Sequence, residues 1–319
     1  MPAPHRDDDP APNYSGPLYD SHAHLVSDDP ARYPRRPFRI DPPKDGGPLL
    51  RPPFGPGTVG VAGGLHGPSP VNEKPTAEQM HGWMAEENVV GIAAVQKGMI
   101  YGTDNSYIVD AAALFPHEMR AVIIVDPQAP ETPDMMRDLS KRGAVSIRFF
   151  PLNVDDKAAW LGSQPAVKVW ELASELGMIV DLEGPPYDGE TMIPVVEAMA
   201  DRFPHMPIVL DHLFMPDVTE PHFGIADLFE GFRARDNIYV KWTSLSMDVV
   251  REQGIAPPAV LRRAVDFYGP NKVMWGSDIG TSSGTYKEMV RRAIASTARL
   301  NEEERRKVLH DTGFRVFGR

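Results

Sequence analysis

A chain of 319 residues, 42% hydrophobic and 24% charged, has the composition of a globular protein with one large α/β domain or two smaller ones. Its net charge of −11 argues against a nucleic-acid-binding surface, which needs a concentrated basic patch, but leaves room for an anionic small molecule held by a few local cations. The absence of cysteine excludes disulfides and thiolate metal sites, so any metal must be held by histidine and carboxylate.

Residues 1–17 are rich in Pro and Asp and read as a flexible arm, without the apolar core of a signal peptide. No stretch approaches about 18 apolar residues, so no membrane span is expected and the reading is a cytoplasmic protein. From residue 18 onward, short apolar runs rich in β-branched residues recur: LYDSHAHL, GIAAVQKG, RAVIIVD, AVSIRFF, MIVDLEG, PIVLDHLF, IYVKWTS and VMWGSDIG. Most are near-continuously hydrophobic, as parallel strands covered by helices are. Between them, PTAEQMHGWMAEENV, NSYIVDAAALFP, PDMMRDLSKRG, QPAVKVWELASELG, ETMIPVVEAMADRFP and PPAVLRRAVDFYG carry apolar residues at helical spacing. Eight βα units over residues 18–319 predict a single α/β domain, a (β/α)₈ TIM barrel. A doubly wound open sheet is disfavoured because no G-x-G-x-x-G follows the first strand. One segment breaks the rhythm: residues 27–75, crowded with Pro, Gly and Arg, form a long insert after the first strand and are expected to act as a lid or substrate-gripping loop.

Polar residues interrupt the apolar runs at their ends. They are His22 and His24, Gln96 and Lys97, Asp126, Arg148, Glu183, Asp211 and His212, Lys241, Thr243 and Ser244, and Asp278. In a (β/α)₈ barrel these carboxyl ends open on one rim, where active sites sit. His22 and His24, two apart on a strand, share a face. With a further histidine and carboxylates they form a candidate site for a divalent ion, zinc or manganese. Asp278 suits a general base acting on water, and Arg148 offers a planar fork to a substrate carboxylate. Lys241 or Trp242 must face the barrel interior, and a lysine there needs a carboxylate partner.

Together the motifs resemble the amidohydrolase superfamily, most closely the branch of 2-pyrone-4,6-dicarboxylate lactonase. D-x-H-x-H at residues 20–24, ARYP at 31–34, YGTDNSYIVDA, RAVIIVD, SIRF, VLDH, YVKWTS and MWGSDI follow one another in the same order. The resemblance implies hydrolysis of a lactone or cyclic ester bearing a carboxylate. Asp278, His212 and Glu183 would be catalytic. Arg148, Gln96, Lys97, Tyr101, Asn105 and Ser244 would bind substrate, and His22, His24, His212 and Asp278 would hold the metal; Glu183, an oxygen donor by residue type, either completes that set of ligands or serves as a second base or an acceptor for substrate. Within that branch the lactonase itself works without a metal whereas many relatives bind zinc, so a metal-free mechanism stays open. Two departures stand out: metal-holding relatives often carry histidine where this chain has Glu183, and the insert is unusually long. The competing reading is a metal-dependent nonoxidative decarboxylase of an aromatic or unsaturated acid. The expected partner is a small anionic substrate, with no nucleic acid or membrane, and a homo-oligomer is left open.

Overall fold

The computed structural model describes residues 12–38, 73–151, 154–184 and 189–318. Most of the arm (1–11) and the greater part of the insert (39–72) therefore lie outside the described residues, and with them the expectations of a flexible arm and a lid. The sheet has eight parallel strands in the order β1 to β8: Leu18–His24, Val89–Val95, Met119–Val125, Ala144–Phe149, Ile179–Leu182, Ile208–Leu210, Ile238–Thr243 and Val273–Gly276. Helices lie between them, giving the (β/α)₈ barrel expected from the sequence. Six of the eight apolar runs contain a whole strand, while β2 begins two residues before its run and β3 one residue before its run. Helices beyond those expected also form, the longest being Tyr286–Ser296 near the C-terminal end and Ser244–Glu252 directly after β7; Thr312–Phe317 is a shorter one.

Two apolar regions hold the barrel together. The larger lies between strands and helices, where Phe149, Trp170, Trp242 and Trp275 are almost fully buried. The smaller fills the barrel's lower interior with Tyr19, Ala93, Val95, Val122, Ile179, Val209, Met274 and Phe317. Above it the inward positions turn polar. On β4, Ser146 and Arg148 face in, and on β7 Lys241 and Thr243 do, as their contacts with Asp181, Asp211 and His212 show. Alternation along each strand thus places Trp242 on the outer face, where its indole N–H donates to Ser296 (3.0 Å).

β1 departs from simple alternation. Its register against β2 shifts between Asp20 and Ala23, where three steps on β1 match two on β2. Such a bulge re-aims side chains, and it lets both Tyr19 below and His22 and His24 above face inward. The seam between β8 and β1 has no continuous ladder. It is closed by the Ala23–Ile279 bridge, by the Asp278 N–H donating to the His22 carbonyl (2.7 Å), and by Asp20 Oδ1, which accepts from the backbone N–H groups of Ser277 (2.8 Å) and His22 (3.1 Å). Among the described residues no helix is long and apolar enough to cross a membrane.

Candidate active site

At the β1–β8 seam, His22, His24 and Asp278 converge. His24 Nε2 lies 3.3 Å from His22 Nε2 and 3.3 Å from Asp278 Oδ1, and His22 Nε2 lies 3.6 Å from the same oxygen. Close approach of the two strands makes this possible. A Cβ at Gly276 would fall 2.6 Å from the Cβ of His22, which explains the glycine in the W-G-S-D stretch. Asp278 itself has φ of +53°, a conformation that a non-glycine residue adopts at some cost, and His212 has φ of +54°. Strain of this kind concentrates at functional positions.

The protonation pattern follows from the partners. His24 Nδ1 faces the Val95 carbonyl at 2.9 Å, an acceptor only, so Nδ1 carries the hydrogen and Nε2 the lone pair. Burial lowers His24 to about 4, and it holds His22 well below the usual histidine range, so both rings are neutral near pH 7. Burial would raise Asp278, but the hydrogen bond of His24 and the charge of His212 and His22, offered in their protonated forms, outweigh it and hold the carboxylate well below its ordinary value, so it is ionised near pH 7. Its Oδ2 accepts from the Ser282 hydroxyl (3.0 Å).

His22 Nδ1 decides what this cluster can hold. It lies 3.1 Å from Asp211 Oδ1 and 3.3 Å from Lys241 Nζ. When Nδ1–H donates to Asp211, two imidazole lone pairs and a carboxylate oxygen face one another, a set that a divalent cation neutralises. When Nδ1 instead accepts from Lys241, Nε2–H bonds His24 and the cluster is satisfied without a cation. The residues present thus fit a metal held by His22, His24 and Asp278. A second group within ligating reach is His22, Asp211 and His212.

Below and beside this cluster lies a buried ionic network. Lys241 Nζ is 2.6 Å from Asp181 Oδ1 and 3.0 Å from Asp211 Oδ1, supplying the carboxylate partners that a buried lysine requires. Arg148 Nε donates to Asp211 Oδ2 (2.8 Å), and its terminal nitrogen donates to Glu183 Oε2. Burial alone would raise Asp211, yet Lys241, Arg148 and His22 around it hold it well below the carboxylate range. Burial raises Glu183, against the opposing pull of Arg148 and His212. Burial likewise pushes Asp181 up to about 7, with Lys241 opposing.

The residues singled out in the sequence are placed as follows. His22, His24 and Asp278 come together. His212 stands one shell away, with Nδ1 bonded to Thr243 Oγ1 (2.7 Å), Nε2 3.7 Å from Glu183 Oε2, and its ring 5.2 Å from that of His22. Glu183 spends its nearest oxygen on Arg148, and the Arg148 fork, expected to meet substrate, is already occupied by Asp211 and Glu183. Lys97 donates to Thr281 Oγ1, and burial lowers it to about 8. Gln96 donates to the Asp104 carbonyl (2.5 Å), and its buried Oε1 has no hydrogen-bond partner among the described residues. Ser244 Oγ is buried and unpartnered in the same way. Asn105 bonds both ways to the Ile124 backbone (2.8 and 2.9 Å), and Tyr101 OH accepts from the Ser27 N–H (2.8 Å), so both tie chain segments together. Asp126 is exposed and accepts from the Gln128 N–H (2.9 Å), away from the cluster.

Asp181 and Asp211 carry more of the geometry than sequence reasoning assigned them. Asp211 stands beside His212 in VLDH, and its inward parity with Val209 was the available signal. Asp181 lies within an apolar run, and only the lysine facing it explains its burial.

The amidohydrolase family profile matches residues 19–319. Three solved structures are similar in fold. An amidohydrolase from Burkholderia multivorans with bound zinc is 18% identical, covers 94% of this chain and 99% of its own, and superposes with a TM-score of 0.66. A provisionally named 2-pyrone-4,6-dicarboxylic acid hydrolase from Pseudomonas putida is 19% identical, with 95% and 97% covered and a TM-score of 0.64. An IDCase from Metarhizium anisopliae is 12% identical, with 94% and 96% covered and a TM-score of 0.61. No curated protein sequence matches this chain.

Proposed function

The chain belongs to the amidohydrolase family, and on that premise we propose that it hydrolyses a lactone or similar cyclic ester bearing a carboxylate. The observation carrying this reading is the convergence of His22, His24 and Asp278, within 3.6 Å of one another, on the rim of the barrel. The similarity in fold to a 2-pyrone-4,6-dicarboxylic acid hydrolase supports the choice of a lactone.

Asp278 is ionised at working pH and takes the proton of a water molecule beside it. The water oxygen forms a bond to the lactone carbonyl carbon. The ring C–O bond then breaks, and the departing oxygen receives the proton that Asp278 holds, leaving a hydroxy acid. His22 and His24, neutral and fixed by Asp211 and the Val95 carbonyl, offer their Nε2 atoms to this space. A divalent ion held by His22, His24 and Asp278 would act as a Lewis acid, polarising the carbonyl and making water more acidic.

The test offers purified protein and its Asp278→Asn variant a panel of lactones, esters and amides, with acid release measured before and after chelation and zinc readdition. Lactone opening that Asp278→Asn abolishes supports the reading. Activity confined to amides, or absent with and without zinc, overturns it. Release of CO₂ from an unsaturated acid would establish the decarboxylase instead.

A further inference from the structure

Arg148 cannot be the whole answer to how a carboxylate is recognised, because Asp211 already takes its Nε–H and Glu183 an N–H of one terminal nitrogen. Another cation on the rim is available. Residues 33–38, in the early part of the long insert, cross the segment that follows β2. The Arg36 N–H donates to the Ile100 carbonyl (2.7 Å), and the Phe38 N–H donates to that of Gly98 (3.3 Å). The fit is tight: Gly102 has φ of +57°, and a Cβ there would lie 2.7 Å from the Arg36 carbonyl oxygen. Beside this crossing lies a cavity of about 480 Å³ lined by Arg36, Phe38, Tyr101, Gly102, Thr103 and Asp104, within the size range of small-molecule sites.

Two links join the cavity to the reacting cluster. On one side, Gln96 reaches from the end of β2 to the Asp104 carbonyl, and its neighbour Lys97 bonds Thr281 beside Asp278. On the other, Phe38 stacks on Phe150 (centroids 5.6 Å apart, planes at 21°), and the Arg148 guanidinium lies 4.9 Å over the Phe150 ring. Phe150 follows Ser146 and Arg148 at the same parity, so it stands above them at the mouth of the barrel. Arg36 is exposed and has no ion-pair partner among the described residues. Asp104, the acid in the lining, is engaged by the N–H (3.2 Å) and hydroxyl (2.6 Å) of Ser106.

We propose that this cavity is the substrate's recognition subsite, in which Arg36 pairs with the carboxylate and Phe38, backed by Phe150, packs against a flat unsaturated ring. The inference rests on the lactonase reading and deepens it by naming the residues of this chain, Arg36 and Phe38, that would grip the substrate's carboxylate and ring. Guanidinium–carboxylate pairing supplies orientation, and the aromatic face discriminates flat rings from puckered ones.

Binding is measured apart from turnover, by NMR titration of the full chain with benzoate, cyclohexanecarboxylate and benzyl alcohol. The wild type is expected to bind benzoate saturably and more tightly than cyclohexanecarboxylate. Arg36→Gln should weaken benzoate about tenfold while leaving benzyl alcohol unchanged, and Arg36→Lys should keep part of the difference. Phe38→Leu should erase the preference for the flat ring. Arg36 is exposed, so an unchanged melting temperature is expected for its variants. Absence of saturable benzoate binding, or equal benzoate affinity in Arg36→Gln and wild type, overturns the proposal. Arg36-dependent benzoate binding without lactone opening would leave the subsite standing and remove only the hydrolytic reading.

Discussion

Between β4 and β7, buried charges meet opposite charges at short range: Lys241 with Asp181 and Asp211 at 2.6 and 3.0 Å, Arg148 with Asp211 at 2.8 Å. Across the barrel, at the β1–β8 seam, His22, His24 and Asp278 stand 3.3–3.6 Å apart, with two neutral rings around one carboxylate and, among the described residues, no cation between them. The first arrangement is complete as it stands. The second gathers lone pairs and a negative charge at a point that substrate, water or an ion can satisfy. On the proposed function the contrast separates a supporting framework from a reacting centre, and Asp211 joins the two by touching both Lys241 and His22.

The sharpest way to break this contrast is Asp278→Asn, which keeps shape and removes the base. It should lower kcat/KM for lactone opening by about 10²–10⁴-fold with little change in melting temperature, and a loss below tenfold would deny the seam its reactive role. In the framework the expected effect is on folding. Asp211→Ala leaves Lys241 and Arg148 short of a partner and should cost about 3–5 kcal/mol in denaturant unfolding, whereas His24→Ala should cost far less. Equal costs would erase the distinction.

A third measurement uses pH. His24 is depressed to about 4 in the folded chain, while an unfolded histidine titrates near 6.5. The unfolded state therefore binds more protons between these values, and the stability that His24 contributes is full above about 6.5 and lost as pH falls toward 4. Its removal in His24→Gln should flatten the acid limb of the stability profile by up to about 1.4 kcal/mol per pH unit. An unchanged limb would show that the ring is not held neutral. The smallest effect is expected at the seam's own clamp. Asp20→Asn keeps an acceptor for the Ser277 and His22 N–H groups and should cost about 1 kcal/mol, against about 1–3 kcal/mol for each donor orphaned by Asp20→Ala. Similar costs for the two would mean that the carboxylate does not hold the strands together.

Much of the barrel was legible because parallel strands covered by helices must be apolar on both faces, and runs such as RAVIIVD and AVSIRFF show that directly. The helix Ser244–Glu252 was harder to see, since it begins on the last residue of a run that also contains β7, with Thr243 as its cap. In the site, the pair His22 and His24 and the distant Asp278 were recognisable from residue type and position at strand ends. Asp126 shows the limit of that rule: it ends an apolar run as the others do, yet it is exposed and serves the turn that follows β3.

By itself the sequence determined which side chains could reach the rim, because strand periodicity and the order of βα units leave few other places for them. Whether a given charge is free or already engaged was decided by tertiary structure alone. Arg148 looks the same in SIRF whether or not Asp211 and Glu183, 63 and 35 residues away, occupy its fork. Pairing of that kind depends on distances of a few ångströms across the barrel, set by the bulge in β1 and the close approach at Gly276, which local patterning does not encode.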